Sequence, residues 1–298
     1  MVRRCTARAA WLELLSPGVY IEGMKRTPEW NRETLLQSPL FAALHPILAK
    51  LGTDGFPTLQ DCNALLDAHI PPVTVQCGLL LNFVAQQDGK LPFEAQYEPR
   101  CYLKGEVPTR ADNWHDLLNA LVWLTFPRTK AVLNARHYHA LMAERAEGRS
   151  KRGAVRDVNT LLDESGVIVV YADAELAMML RNFQWKELFW QRREQVRAGM
   201  GFYLFGHGLY EKTLQPYVGM TGQGLLLEVK PEFFSWPLVQ QLAHLDGLLA
   251  DYLAAPEHCR STRDLSPVPL LGVPGWAADN DSAAYYDNTA YFRPGRRG

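Results

Sequence analysis

The chain has 298 residues, of which 47% are hydrophobic and 21% charged, and its formal net charge is −1. This is the composition of a globular protein with a sizeable core, and it excludes a fibrous or intrinsically disordered chain. The balance of 31 basic and 32 acidic residues provides no overall basic field for nucleic acid, so we expect a small-molecule ligand and no nucleic-acid partner.

The cysteines and the N-terminus indicate the compartment. The five cysteines are scattered without a CxxC pair, which argues against a disulfide framework and a thiolate zinc site. Glu13 interrupts the short apolar run over residues 11–15, so the N-terminus does not resemble a signal peptide. No stretch approaches the roughly 18 apolar residues of a membrane span. We therefore expect a cytoplasmic protein without a membrane segment.

Residues 1–95 are predicted to be helical, with proline-rich joints. The patterns favour helices over residues 39–51 and over residues 59–69, the second with Thr58 as its N-cap. Residues 97–107 (YEPRCYLKGEV) are predicted as a strand followed by a turn.

Two helices broken at Pro127 are predicted between residues 110 and 148. Asn113 can cap the first, and proline disfavours helical angles at the residue before it. Each helix carries one polar stripe on a mostly apolar surface: His115, Asp116 and Asn119 on the first, and Lys130, Asn134 and His137 on the second. Two such stripes can form either a shared functional site or a structural network in the core, and the sequence leaves both interpretations open.

The next segment is predicted to change from loop to sheet. Residues 144–157 are charged and contain glycine, which indicates a surface loop; its basic residues include Arg149, Lys151 and Arg156. Residues 158–162 and 167–171 are predicted as the two strands of a hairpin. Asp163 and Gly166 suit the first and last positions of a type I turn between them.

A strand, a long helix and a second strand follow. Asp173 is predicted to cap a helix over residues 174–198, and residues 200–205 (MGFYLF) form the next strand. This order predicts a βαβ unit with parallel strands. A third strand (225–229), a helix (233–252) and an irregular aromatic tail (264–298) complete the chain.

The predicted fold is therefore α+β, mostly helical around a small mixed sheet containing a βαβ unit. We expect residues 1–298 to form a single globular domain, with residues 96–230 as its core and the tail packed against that core.

A metal site is the leading functional hypothesis. In parallel sheets ligands bind beyond the carboxyl ends of the strands, where Asp173 and His207 stand. His207 follows a strand between two glycines, and Glu211 shares its helix face at i, i+4. His115, His207 and Glu211 can together bind zinc, iron or manganese. The remaining polar residues then divide into catalytic candidates (Asp116, His137 and Lys130) and ligand-binding candidates (Asn119, Asn134, Arg156 and Asp173).

Two other functions fit parts of the sequence. A non-catalytic module would bind an anionic small molecule through Lys130, Arg156 and the helix start at His207. A magnesium-dependent, nuclease-like enzyme would use Glu228 and Lys230, with Asp173 as a second carboxylate. There is no G-x-S-x-G elbow, phosphate-binding loop or dinucleotide fingerprint.

Four segments carry a family resemblance. The runs NWHDLLNALVWLTFPRTKAVLNARHY, DESGVIVVYAD, WKELFWQRR and FGHGLYEKTLQPY resemble a bacterial family catalogued as domain of unknown function 3025. The resemblance extends from about Tyr97 to Val229, with a looser match before it. It implies a soluble protein of proteobacterial type and implies no reaction.

Overall fold

The computed structural model describes residues 28–148 and 152–295. The apolar run over residues 11–15 and the loop residues Arg149 and Lys151 lie outside these ranges. The helices are α1 (Arg32–Gln37), α2 (His45–Leu48), α3 (Leu59–Asp67), α4 (Tyr97–Lys104), α5 (Trp114–Thr125), α6 (Pro127–Ala146), α7 (Ala154–Ser165), α8 (Ala174–Arg181), α9 (Arg193–Gly199), α10 (His207–Thr213) and α11 (Leu238–Ala254). The strands are β1 (Asn82–Ala85), β2 (Glu106–Thr109), β3 (Gly166–Tyr171), β4 (Met200–Leu204), β5 (Thr221–Glu228) and β6 (Ser266–Pro269).

The strands form two small sheets. The larger has the order β4-β3-β5-β6, in which β3 and β5 are parallel and both outer pairs are antiparallel. The smaller pairs β1 with β2 in parallel, with α4 between them in the chain. This β1–α4–β2 segment is a βαβ unit, since its strands run the same way across a helical connection. The α+β fold with a mixed sheet is confirmed.

The core lies where α5 and β3 meet the surrounding helices. Trp114, Leu118 and Leu121 of α5 are at most 4% exposed, and residues 167–170 of β3 are fully buried. Because α5 and β3 are apolar on nearly all sides, both are buried by the surrounding elements, as the sequence predicted. The capping residues also act as predicted: Asn113 accepts from the Asp116 backbone N–H, and Asp173 from that of Glu175. Among the described helices, none is both long and apolar enough to cross a membrane.

Two stretches predicted as strands are helices. Residues 158–162 belong to α7, so the predicted hairpin is absent, and residues 97–104 form α4. A short apolar run does not distinguish a buried strand from one face of a helix. In α7, Val158 and Leu162 are buried at a helical spacing of four residues. Asp163 and Glu164 therefore stand in the last turn of a helix, and not in a turn between strands.

The prediction that residues 167–171 and 200–205 pair in parallel is also wrong, because β4 runs antiparallel to β3. The predicted long helix is divided into α8, a π-helical turn at Glu187–Gln191 and α9. Phe183, which lies between α8 and the π-helical turn, has a left-handed φ of 59°. This break lets the chain return antiparallel. The carboxyl ends of β3 and β4 consequently lie at opposite edges of the sheet, which separates Asp173 from His207.

The last part of the chain is fastened by a buried arginine. Arg193 of α9 donates to the backbone oxygen and to Oδ1 of Asn280, both at 3.1 Å, and to the Asp281 carboxylate. Asn280 in turn donates to Leu271 O at 2.9 Å. Tyr286 also lies against Arg193, and its hydroxyl donates to Gly272 O at 2.9 Å. We call Arg193, Asn280, Asp281 and Tyr286 the arginine clamp. It holds the aromatic tail on the core, and the tail contributes β6 and several 3-10 turns.

Candidate metal centre

Three side chains from three different helices converge at one end of β3. His115 comes from α5, Glu164 from the last turn of α7, and His207 is the first residue of α10. The Nε2 atoms of the two histidines are 3.0 Å apart. Glu164 Oε1 lies 3.6 Å from His207 Nε2 and 3.8 Å from His115 Nε2. We call these residues the histidine–glutamate cluster. Its three atoms can contact one common point.

The glycines around His207 make this approach sterically feasible. A Cβ atom at Gly206 would lie 2.5 Å from the backbone nitrogens of Ser165 and Gly166. A Cβ atom at Gly208 would overlap the Glu164 carboxylate. Only glycine lets the start of α10 pack this closely on the junction of α7 and β3. The Gly206-His207-Gly208 sequence thus sets the distance between His207 and Glu164.

A carboxylate faces the far side of each imidazole ring. His115 Nδ1 lies 2.9 Å from Glu211 Oε2, and His207 Nδ1 lies 3.7 Å from Asp163 Oδ2. The 2.9 Å contact favours a proton on His115 Nδ1 and leaves the Nε2 lone pair of that ring free, whereas 3.7 Å is too long for a hydrogen bond to His207 Nδ1. Between the two Nε2 atoms, a proton on His207 would form a hydrogen bond, and a cation could take the place of that proton.

The distances suit a four-coordinate metal. Two ligand atoms at about 2.0–2.1 Å from a tetrahedral zinc lie about 3.3 Å apart. In an octahedral site adjacent ligands lie about 3 Å apart. The three distances between ligand atoms in the cluster are 3.0, 3.6 and 3.8 Å. Their average is closer to the ligand separation of a tetrahedral zinc site than to that of an octahedral site. Two histidines and one glutamate also form the ligand set of many catalytic zinc sites, which leave a fourth position for water.

An inner polar network supports the cluster from behind. The buried Lys130 ammonium forms an ion pair with Asp163 and donates to Asn119 Oδ1 at 2.9 Å. Asn119 donates to the Tyr97 hydroxyl at 2.7 Å. Burial alone would raise the pKa of Asp163, but the positive charge of Lys130 and the hydrogen bond from it hold that pKa below its usual value. Asp163 is therefore ionised where it faces His207.

A second carboxylate in this network is tuned differently. Glu98 of α4 accepts from Asn134 Nδ2 at 2.6 Å, and its Oε1 lies 3.9 Å from His137 Nε2. Burial, with the nearby negative charge of Asp163, raises the pKa of Glu98 to about 7. Burial lowers the pKa of His137 and of His207 to about 4, so both imidazoles are neutral near pH 7. Glu98 is therefore poised to gain or lose a proton at neutral pH.

Two cavities meet at the cluster. An inner polar cavity of about 230 Å³ is lined by all three cluster residues together with Glu98 and His137. An outer groove of about 430 Å³ is lined by His115, Glu164 and Glu211 on one side. The cluster thus forms the wall between the cavity that holds Glu98 and a groove open to solvent.

The other predicted site residues divide into two groups. Asn119, Lys130, Asn134 and His137 lie in the inner network, and Asp116 lines the inner cavity, where its carboxylate is held by Arg110 at 2.8 and 2.9 Å. Glu211, predicted as a ligand with the two histidines, contacts Nδ1 of His115, and Glu164 is the carboxylate that lies near both Nε2 atoms. Two predicted ligand-binding residues lie elsewhere: Arg156 pairs with Glu144 at 2.7 Å, and Asp173 caps α8 at the opposite sheet edge.

The exposed Glu228 and Lys230, the residues of the nuclease hypothesis, also lie at that opposite edge, since Glu228 pairs with Tyr171 at the end of β3. The nuclease hypothesis therefore finds no support in the cluster.

The sequence did not identify Glu98, Asp163 or Glu164 as site residues, because residues 97–107 and residues 158–166 were predicted to form strands and turns. One signal was present in the sequence. Acidic residues are unfavourable at the negative C-terminal end of a helix. Two of them in the last turn of α7 require compensating charge, which Lys130 provides for Asp163. A helical prediction for residues 154–165 would have identified this conflict.

Among the comparisons with known proteins, the match to a family model identifies the family of this chain. The model of a family described as "Protein of unknown function (DUF3025)" matches residues 81–296, a range that contains the whole histidine–glutamate cluster and Glu98. No curated protein and no solved structure matches the chain.

Proposed function

The chain belongs to the DUF3025 family of unknown function, and we propose that it is a metal-assisted hydrolase with zinc bound by His115, Glu164 and His207. The observation that carries the proposal is the convergence of these three ligand atoms, all within 4.8 Å of one another, each from a different helix. A bound zinc ion lowers the pKa of a coordinated water to near 7 and polarises a carbonyl group.

The chain's own residues supply the rest of the chemistry. Glu211 would orient the His115 ring and fix the tautomer that ligates the metal, and the nearby Asp163 carboxylate would add negative charge beside His207. Glu98 is the candidate general base, because it lines the inner cavity together with all three ligands and its pKa of about 7 would let it accept a proton from water there at neutral pH. Asp116 is a poorer base, since Arg110 occupies its carboxylate, and the pKa of His137, about 4, makes that imidazole a weak one.

The non-catalytic alternative has weaker support. Lys130 is neutralised by Asp163, and Arg156 by Glu144, so neither provides a free positive charge for an anion. The helix that starts at His207 has only seven residues. No contact in the inner network favours an anionic ligand over a metal.

Elemental analysis of protein purified without a histidine tag tests the proposal. We expect about one zinc per chain in the unmodified protein. His115→Ala, Glu164→Gln and His207→Ala should each weaken zinc binding at least a hundredfold in competition titrations. His258→Ala, at a half-buried histidine stacked on Tyr252, serves as the control and should retain zinc.

Protein free of metal that also fails to take up zinc, iron or manganese on titration would reject the proposal. Stoichiometric iron in place of zinc would keep the ligands and replace hydrolysis with oxidative chemistry, which a 2-His-1-carboxylate site also supports.

A further inference from the structure

The outer groove continues into an apolar cleft. Trp114 and Leu214 line both the groove beside the cluster and a narrower cleft of about 220 Å³. The cleft extends away from the cluster between α1 and α10, where Leu35 and Phe41 form its wall. The shared residues make one continuous path, which leads from ligand atoms at one end to apolar side chains at the other.

The chemistry changes along this path. Near the cluster the groove presents the Glu164 carboxylate and the His115 ring, whereas most of the cleft surface is apolar, with Trp114, Leu214 and Pro216 among the residues that line it. Pockets that bind small molecules are largely apolar with a few polar groups that fix orientation, and have volumes of roughly 300–1,000 Å³. The groove and the cleft together fall in this range.

We propose that the substrate is an amide with an apolar acyl chain, its carbonyl at the metal and its chain in the cleft. This inference rests on the proposed function of the cluster. In the reaction the oxygen of water bonds to the carbonyl carbon, and the bond from that carbon to nitrogen breaks. The nitrogen takes up the proton that the attacking water releases, and the products are a carboxylate and an amine. The acyl chain remains in the apolar cleft throughout.

Hydroxamic acids of two lengths test this assignment. Acetohydroxamic acid and octanohydroxamic acid chelate zinc through the same group and differ only in their alkyl chain. Calorimetric titration of the zinc-loaded protein should give at least tenfold tighter binding of the longer compound, because about two buried methylene groups suffice for a tenfold gain. Equal binding of the two compounds to zinc-loaded protein would overturn the assignment and leave the metal centre standing.

A matched pair of variants tests whether the acyl chain of the ligand lies in the cleft. Leu214 and Leu248 are both partly buried and both packed on the core, but only Leu214 lines the cleft. Leu214→Asn should remove most of the tenfold difference between the two compounds, and Leu248→Asn should preserve it. Loss of the gain in both variants, or in neither, would contradict an acyl chain in the cleft. Protein that binds neither zinc nor acetohydroxamic acid would reject the metal centre itself, and the substrate assignment with it.

Discussion

The arginine clamp and the histidine–glutamate cluster are both networks of polar groups, but they differ in burial and in how their donors and acceptors pair. Arg193 and Asn280 are buried, whereas the side chains of His115 and Glu164 are 31% and 41% exposed. In the clamp each donor meets an acceptor: Arg193 and Asn280 together donate to backbone and side-chain oxygens at 2.8–3.1 Å and to Asp281. In the cluster His115 and His207 present the same kind of atom to each other, and His207 Nδ1 has no hydrogen-bond partner among the described residues.

This difference distinguishes a self-contained structural network from the binding site that we propose. A network that satisfies itself stabilises the fold and needs no ligand, because each buried group has replaced its hydrogen bonds to water. In the cluster the two Nε2 atoms can share only one proton, and the proposed metal ion would replace that hydrogen bond with two ligand bonds. The variants below should therefore affect stability at the clamp and metal affinity at the cluster.

The largest effect is expected at the clamp. Arg193→Ala removes the stronger donor from each of the two Asn280 oxygens, which then keep only the longer hydrogen bonds from Tyr286 and Gly275, and it removes the ion pair with Asp281. It should therefore lower the free energy of unfolding by about 2–4 kcal/mol. Urea denaturation measures this change, with the exposed Arg197→Ala as the control, which should stay within about 0.5 kcal/mol. Zinc content should be unchanged in both variants. Loss of zinc from folded Arg193→Ala protein would show that the two networks are not independent.

The glycines flanking His207 provide the next contrast. Gly206→Ala places its Cβ atom 2.5 Å from rigid backbone and should cost about 1–3 kcal/mol or more. Gly208→Ala meets the movable end of Glu164, so it should displace that carboxylate and weaken zinc binding about tenfold. Its stability should be nearly unchanged, because alanine also favours the helix. Melting curves and zinc titrations distinguish the two outcomes, and equal effects on stability would contradict the geometry around His207.

Glu98 should make stability depend on pH. Its pKa in the folded protein, about 7, lies above the ordinary value of 4.5, so the folded state binds the extra proton between these values. Stability contributed by this group is present below pH 4.5 and is lost as the pH rises through 7. Glu98→Gln should therefore gain about 1–3 kcal/mol relative to the unmodified protein between pH 5 and pH 8. If Glu98→Gln and the unmodified protein differ in the free energy of unfolding by the same amount at pH 5 and at pH 8, the pKa of Glu98 is not raised.

The smallest change is expected from Glu211→Gln. Its side chain is 46% exposed, so the loss of its charge should leave stability unchanged. It should weaken zinc binding roughly tenfold, since residues that orient a ligating histidine contribute about 10–100-fold to affinity. Glu228→Gln, at an exposed glutamate on the far sheet edge, is the matched control. If both variants bind zinc like the unmodified protein, Glu211 does not position His115.

Local signals in the sequence predicted the elements that position the site. Asn113, Pro127 and Asp173 marked helix boundaries because capping and proline geometry act over a few residues. The polar stripes of α5 and α6 predicted that His115 and Lys130 face a common interior. His207 was identified because a strand end followed by a glycine-flanked helix start is a local pattern.

What the sequence did not reveal depends on tertiary packing. Residues 158–162 are too short and apolar to distinguish helix from strand, and the location of Glu164 depended on that choice. The antiparallel return of β4 follows from the break at Phe183, which no residue pattern announced. Glu211 was placed in the right neighbourhood, but only the orientation of the His115 ring decides which nitrogen it meets.

The cluster joins residues that are far apart in the chain, and this has a kinetic consequence. His115 and His207 are separated by 92 positions, and His207 is held by a strand that pairs only after α8 and α9 have folded back. Contacts of such long range form late, because the entropy of closing the intervening loop must be overcome first. During synthesis the ribosome must release the chain beyond α10 before the third ligand can arrive. If the chain binds zinc as we propose, zinc uptake should therefore follow this step, and chains terminated before residue 207 should not retain zinc.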